Sequence, residues 1–282
     1  ALVYLPGRRE LLAPFADLLE NAQIPKTGHA LKDAVIHLKR KGINLCGLEF
    51  DTAVAAYVAR PAGKNTDLWE LAFDVLGAQP PEKIAAAQMT AQVQADLAAR
   101  QLGLIDRLRP LLLESLQEQG LEELFEKVEM PTVAALAEME LNGVAIEPDY
   151  LNHLSSRLEG MIAEVEANIY ILAGEEFTIN SPKQLQHILY DKLGLRKGRR
   201  TKTGYSTDAA TLAKLAEDYE IVRLILDYRE LTKLKSTYVD ALPKLVNPET
   251  GRIHPSFHQT VTTTGRLSCT EPNLQNIPIR TE

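Results

Sequence analysis

The sequence predicts an α/β layer domain followed by a mostly α-helical region and a closing β-hairpin. Three observations carry that prediction. From Ala1 to Val58 strand-like and helix-like runs alternate, the pattern of helices laid on a sheet. From Leu121 onward apolar residues recur at three- and four-residue steps. Near Phe257 the period falls to two.

The elements follow in order. Ala1–Leu5 reads as a buried strand, and a helix spans Arg9 to Asn21. A second helix covers Ala30 to Lys41 and stops at Gly42; Ile43 to Phe50 reads as a strand and Asp51 to Val58 as a short helix. Glu82 to Glu118 looks helical throughout, with Pro110 as its break because proline lacks the donor a helix interior needs. Gly120 is a linker position, and the helix from Leu121 to Leu141 ends at Gly143. Leu151, Leu154, Leu158, Met161, Val165 and Ile169 form one helix stripe closed by Gly174. Ser181-Pro182-Lys183-Gln184 is a helix start, with Ser as cap and Gln reaching back to it. That helix ends at Gly194, and Ser206 or Thr207 caps the next. A long helix runs from Ile221 to Val246. At about 100° per residue, Arg229, Lys233 and Ser236 share a cationic, hydroxylated face, opposite an apolar face of Leu231, Leu234 and Tyr238. Phe257, Gln259, Val261 and Thr263 alternate as in a hairpin, and Gly265 allows a tight backbone approach before Arg266.

Composition is that of a folded, non-membrane domain pair: 282 residues, 45% hydrophobic and 24% charged. No apolar run reaches the roughly 18 residues of a membrane span, and no charged-then-apolar leader opens the chain. Cys46 and Cys269 stand far apart, without metal-ligand spacing, which fits a reduced cytoplasmic setting. His29, His37, His153, His187, His254 and His258 show no paired metal-binding spacing, and Trp69 reads as core. The net charge of −7 is unevenly spread. Residues 181–282 hold 16 Lys and Arg against 11 Asp and Glu, and residues 1–180 hold 15 against 27. A basic half points to a polyanion partner. The run Arg196 to Lys202, five cations in seven residues, suits phosphates.

The stretch from Val261 to Glu282 combines Arg266 with three carboxamides, Asn273, Gln275 and Asn276, on turn-rich backbone. Such groups donate to the purine N3 and pyrimidine O2 acceptors that every base pair shows in the DNA minor groove. The order T-x-T-G-R-L-S-x-x-x-P-N-L-Q-N-I-P-x-R resembles the segment entering the palm of family A DNA polymerases, the bacterial DNA polymerase I group. Y-R-E-L-T-K-L-K-S-T-Y at 228–238 resembles that family's thumb helix. N-S-P-K-Q-L at 180–185 and K-T-G-Y-S-T at 202–207 resemble two helix entries of the thumb, and N-P-E-T-G-R-I-H at 247–254 its thumb-to-palm hairpin.

The resemblance implies primer–template DNA as partner. Arg266 would read the minor groove at the primer end, with Asn273, Gln275 and Asn276 on template or primer beside it. Arg229, Lys233, Ser236 and Thr237 would hold phosphates. Asn180, Ser181, Lys183, Lys202, Ser206 and Thr207 would line the thumb tip. The family's metal-binding aspartates lie downstream of the N-L-Q-N segment, so no catalytic or metal-binding residue is assigned here. Mg²⁺ and dNTPs are expected for the complete polymerase, and this segment alone is expected to be inactive.

More weakly, K-T-G-H-A-L-K-D-A at 26–34 and G-I-N-L-C-G-L-E-F-D-T at 42–52 resemble the family's RNase H-like proofreading exonuclease. Ala34 stands where active members carry a metal-binding aspartate. Asp33 is one residue early, about 100° round a helix. Asp96 is the one carboxylate near the last acidic motif, and the first motif would precede Ala1. This reads as a degenerate exonuclease serving as a platform.

The implied domains are a degenerate 3′–5′ exonuclease-like part (1–120), a connecting palm-base helix (121–148), a helical thumb (149–246) and the start of the palm (247–282). The expected whole is a DNA-directed DNA polymerase of the bacterial nucleoid, either a monomer or joined to its own palm and fingers. The alternatives are a non-catalytic DNA-binding subunit of a split polymerase and a working exonuclease, the latter disfavoured by Ala34.

Overall fold

The computed structural model describes residues 12–60, 66–82, 85, 88–196, 200–201 and 204–278. The predicted strand Ala1–Leu5, the start of the helix at Arg9, and Lys197, Arg199 and Lys202 of the basic run lie outside them. The chain forms two compact units: Ala1–Gly143 with His254–Gln275, and Val144–Ile253 with Asn276–Glu282.

The first unit is built on a parallel strand pair. Lys26–Gly28 lies beside Leu48–Asp51, with Leu31–Arg40 as the crossover helix between them. The strand expected over Ile43–Phe50 begins only at Leu48. Ile43 and Leu45 are buried, which makes the run look strand-like, but they belong to an irregular approach. Gly47 sets the turn: its φ is +71° and a Cβ there would meet the Ile24 carbonyl oxygen at 2.6 Å. Only glycine satisfies both conditions.

Asp51 then caps the helix Thr52–Ala59, all eight residues of which are buried. Alanine-rich sequence lets a helix be enclosed on every side. Leu68–Leu76 follows, capped by Asp67. Trp69 packs at the margin of this core, with the Arg100 guanidinium 5.4 Å above its ring.

The next helix starts at Ala91, capped by Thr90, rather than at Glu82, and Pro110 does not break it. Leu104, Leu108, Leu112 and Leu116 form a buried stripe four residues apart, while Pro110 is exposed on the other side. Burial of that stripe outweighs the one backbone hydrogen bond that proline removes. Glu122–Leu124 leads through a wider π-helical turn, Phe125–Glu129, into Met130–Asn142. Phe125 packs on Phe50, ring centroids 5.0 Å apart.

Ser256–His258 pairs antiparallel with Ser268–Thr270. The predicted alternation continues to Thr263, but the strand ends at His258 and Val261 is exposed. Beyond His258, Gln259, Thr260 and Thr262 bond Glu129, Thr66 and Tyr57 in place of a ladder.

The second unit is helical. Pro148–Ala173 packs along Glu220–Leu234 over a core that includes Ile169, Leu185, Leu189, Leu212, Val222 and Ile225. Met161, assigned to the buried stripe, is exposed. Tyr170 and Tyr228 both donate to Glu166, at 3.0 and 3.4 Å. Burial, then the Glu166 carboxylate, pushes the Tyr170 hydroxyl up to about 12.

Ser181 caps Pro182–Gln186 as expected, but the Gln184 side chain accepts from Thr178 N–H at 2.6 Å rather than from Ser181. The next cap is Asp208, which accepts from Thr211 N–H at 2.7 Å; Ser206 Oγ donates to its carboxylate instead of capping. The long helix leaves regular geometry at Lys235, passing into a π turn over Lys235–Val239 and a 3₁₀ turn over Leu242–Leu245. Pro243 lies in that last turn and prevents α-helix from continuing.

Candidate nucleic-acid interface

In the first unit the site is a turn. Arg266 lies in the connection between the strands Ser256–His258 and Ser268–Thr270, and its side chain is exposed. The Thr262 hydroxyl donates to the Arg266 carbonyl, closing the backbone across five residues. Gly265, expected to allow a close approach, has a different reason. A Cβ there would meet nothing within 4 Å, but its φ is +77°. The left-handed turn, not crowding, requires glycine.

Gln275 folds back on this turn, its Nε2 donating to the Leu267 carbonyl at 2.8 Å. Asn273 Oδ1 accepts from Gln275 N–H at 3.1 Å and shapes the 3₁₀ turn Leu274–Asn276. Arg266, Asn273 and Gln275 are thus gathered on one exposed surface. Among the described residues, no acceptor engages the Arg266 guanidinium. Asn276 belongs to the second unit, where its carbonyl accepts from the Tyr238 hydroxyl.

In the second unit the predicted residues separate into kinds. Asn180, Lys183, Lys233, Ser236 and Thr237 are exposed. Ser236 donates to the Thr232 carbonyl at 2.7 Å, which turns its hydroxyl proton toward the helix. Ser206 and Thr207 are buried, and their carbonyls accept from Tyr190 Oη at 2.9 Å and Arg229 Nη1 at 2.6 Å. Arg229 is half-buried, and burial draws its guanidinium below its ordinary value. Its present role is to tie the helix to the 204–208 segment. Lys235 is paired with Asp240 at 2.9 Å; this bond, seconded by Ser155, holds the Asp240 carboxyl below the usual range. Lys202 lies outside the described residues.

The exonuclease-like cleft is also in the first unit. Ala34 lines a space of about 310 Å³ together with Gly28, His29, Asp67, Trp69 and Leu102. Asp67, which sequence reasoning passed over, is the one carboxylate among its described lining residues, and it caps the helix Leu68–Leu76 through Trp69 N–H at 2.9 Å. Asp33 is 77% exposed and pairs with Lys32 at 3.5 Å, and Asp96 accepts from Gln92 at 2.9 Å. Asp51 is buried and spends its oxygens on backbone N–H groups. Among the described residues no three His, Cys, Asp or Glu side chains converge as metal ligands. The described residues therefore do not fit a two-metal site.

Sequence reasoning also missed the residues that bond the strand Ser256–His258 and the chain after it: Tyr57, Thr66, Glu129 and Glu140. They lie 117 to 205 positions from the groups they bond. No short motif marks pairs that far apart.

The family model described as DNA polymerase family A matches residues 148–282, and that for the DNA polymerase I ribonuclease H-like domain matches residues 3–76. DNA polymerase I of Bacillus subtilis (strain 168) is 41% identical over 275 residues, covering 95% of this chain and 31% of that protein. The Geobacillus stearothermophilus enzyme is 42% identical over 264 residues, covering 91% and 30%. The thermostable DNA polymerase I of Thermus thermophilus is 43% identical over 257 residues, covering 90% and 29%. The chain thus spans about a third or less of these relatives' length. Among solved structures, the POL domain of Pol1 from M. smegmatis, in complex with DNA primer-template and dNTP, superposes with a TM-score of 0.81 at 38% identity, covering 96% of this chain and 46% of that one. Two polymerase models in series, relatives near 40% identity and a matching fold lead to one conclusion: the chain belongs to DNA polymerase family A.

Proposed function

We propose that this chain is the DNA-gripping and minor-groove-sensing part of a DNA-directed DNA polymerase. The observation that carries the reading is the Arg266 turn: an exposed guanidinium on a backbone fixed by Thr262, with the Gln275 carboxamide folded beside it. A guanidinium presented this way donates to purine N3 and pyrimidine O2, which correctly paired bases place alike whatever the sequence. Asn273 and Asn276 extend the contact along template or primer. The M. smegmatis relative, solved with primer-template and dNTP, supports assigning the same partners to this chain.

In this reading residues 149–246 are the thumb. Its exposed Lys183, Lys233 and Thr237 meet phosphates, which position the duplex without reading sequence. Arg229 acts chiefly by fixing the 204–208 segment that presents the tip. Residues 247–282 begin the palm, 121–148 form its base helix, and 1–120 are an exonuclease-type layer with Ala34 at the metal position. Nucleotidyl transfer, with the Mg²⁺ and dNTPs that it uses, belongs to the whole polymerase in the bacterial cytoplasm.

The test uses two recessed primer–template duplexes that differ only at the terminal primer purine, natural or 3-deaza, the latter lacking the N3 acceptor. The 282-residue chain should bind the natural duplex about ten- to a hundredfold more tightly, the worth of one charge-assisted hydrogen bond. Arg266→Ala should bind both equally. Equal binding of the two duplexes by the unsubstituted chain would refute the sensing role.

A further inference from the structure

We propose that the α/β layer of the first unit braces the Arg266 turn, with Tyr57 and Glu140 as positioning residues. The inference rests on the reading of Arg266 given above. A layer that carries alanine at the metal position then has a task that needs no metal.

Bonds to the layer hold the chain leading to Arg266 at successive points, from His254 and the strand Ser256–His258 to Thr262, which lies outside any β-ladder. Glu140 accepts from Phe257 N–H at 2.7 Å, and its carbonyl bonds His254 Nδ1 at 2.7 Å. Gln259 Nε2 donates to the Glu129 carbonyl at 2.9 Å, and Thr260 meets Thr66 at 3.3 Å. The Tyr57 hydroxyl donates to the Thr262 carbonyl at 2.7 Å. The Thr262 hydroxyl in turn donates to the Arg266 carbonyl. Two hydrogen bonds therefore connect a fully buried helix to the backbone of the sensing residue.

Two features make these bonds stiff. Glu140 is 8% exposed, and such a carboxylate is tolerated only where charge and donors meet it. Lys32, from the helix Leu31–Arg40, supplies the charge, and Phe257 N–H supplies a donor. Tyr57 is 7% exposed on a helix that has no free face. The helices carrying Lys32 and Tyr57 both begin at the Asp51 carboxylate, which accepts from Leu31 N–H at 2.6 Å and Ala53 N–H at 2.9 Å. The two braces thus share one origin.

A purely stabilising role for these bonds would lower the melting temperature and leave base sensing intact. The experiment separates the two roles by a double-mutant cycle on the natural-to-3-deaza affinity ratio. Tyr57→Phe keeps the ring in the core and removes only the donor. It should cut the ratio about three- to tenfold toward unity, the effect of losing one hydrogen bond, with the salt dependence of binding unchanged. In the Arg266→Ala background the same substitution should change nothing. Thr262→Val, at a half-exposed position, removes the second link without touching the core and should reproduce the loss should Tyr57→Phe unfold. The proposal is overturned by a wild-type ratio in folded Tyr57→Phe or in Thr262→Val, or by an equal loss with and without Arg266. Should Arg266→Ala itself keep the wild-type ratio, the sensing role fails first and the brace falls with it.

Discussion

The Asp51 carboxylate lies 2.6 Å from the Leu31 amide nitrogen, so the N-terminus of one helix is closed by the residue that caps another. The Ala30, Ala53 and Val54 amides complete the set, at 3.1, 2.9 and 3.4 Å. Asp51→Ala strands buried N–H groups on both helices. It should destabilise the chain by about 2–4 kcal/mol, read from urea unfolding. A loss near zero would show that water reaches these amides.

His29 gives the fold a pH dependence. Burial lowers its pKa, against the pull of the Asp51 and Asp67 charges and a backbone bond at Thr66, and its Nδ1 meets Thr52 Oγ1 at 2.8 Å. With the folded pKa below the unfolded value, the unfolded chain binds the proton first. This stability is therefore fully present above about pH 6.5 and is lost as pH falls through the folded pKa. Melting temperatures between pH 7.5 and 5.5 should drop more for the unsubstituted chain than for His29→Gln. Parallel profiles would remove His29 from the account.

Pro110 tests the balance between burial and backbone bonding. It is exposed within Ala91–Glu118 and withholds one helical donor. Pro110→Ala should stabilise the chain by up to about 3 kcal/mol in urea unfolding. Destabilisation would mean that the ring makes a contact worth more than the missing bond.

Lys233 is exposed on the face assigned to phosphate, whereas Arg229 donates to the Thr207 carbonyl. Lys233→Ala should flatten the slope of log affinity against log salt by about 0.9, one phosphate, without changing stability. Arg229→Ala should lower the melting temperature as well. Identical behaviour of the two variants would contradict this division.

The helices of the second unit were legible because each carries its own signal: the stripe through Leu158, Val165 and Ile169, the Ser181-Pro182 start, the stop at Gly174. Local signals failed where tertiary packing decided. Pro110 continues its helix because Leu108 and Leu112 are buried beneath it. Asp208 outcompetes Ser206 as a cap because a carboxylate accepts the Thr211 amide while holding the serine hydroxyl. Ile43 and Leu45 are apolar enough for a strand, yet Gly47 turns the chain before one can form. Arg266 and its carboxamides were singled out from their order along the chain. Their braces were not, since Tyr57 and Thr262 meet only through the fold.

Binding of a recessed primer–template duplex by the 282-residue chain, followed from low to high salt, tests the central claim most directly. A cationic clamp that releases counterions should bind at low salt, with log affinity falling linearly and steeply against log salt, by about 0.9 for each phosphate held. No binding at low ionic strength, or a strong preference for one base sequence at every salt concentration, would contradict it.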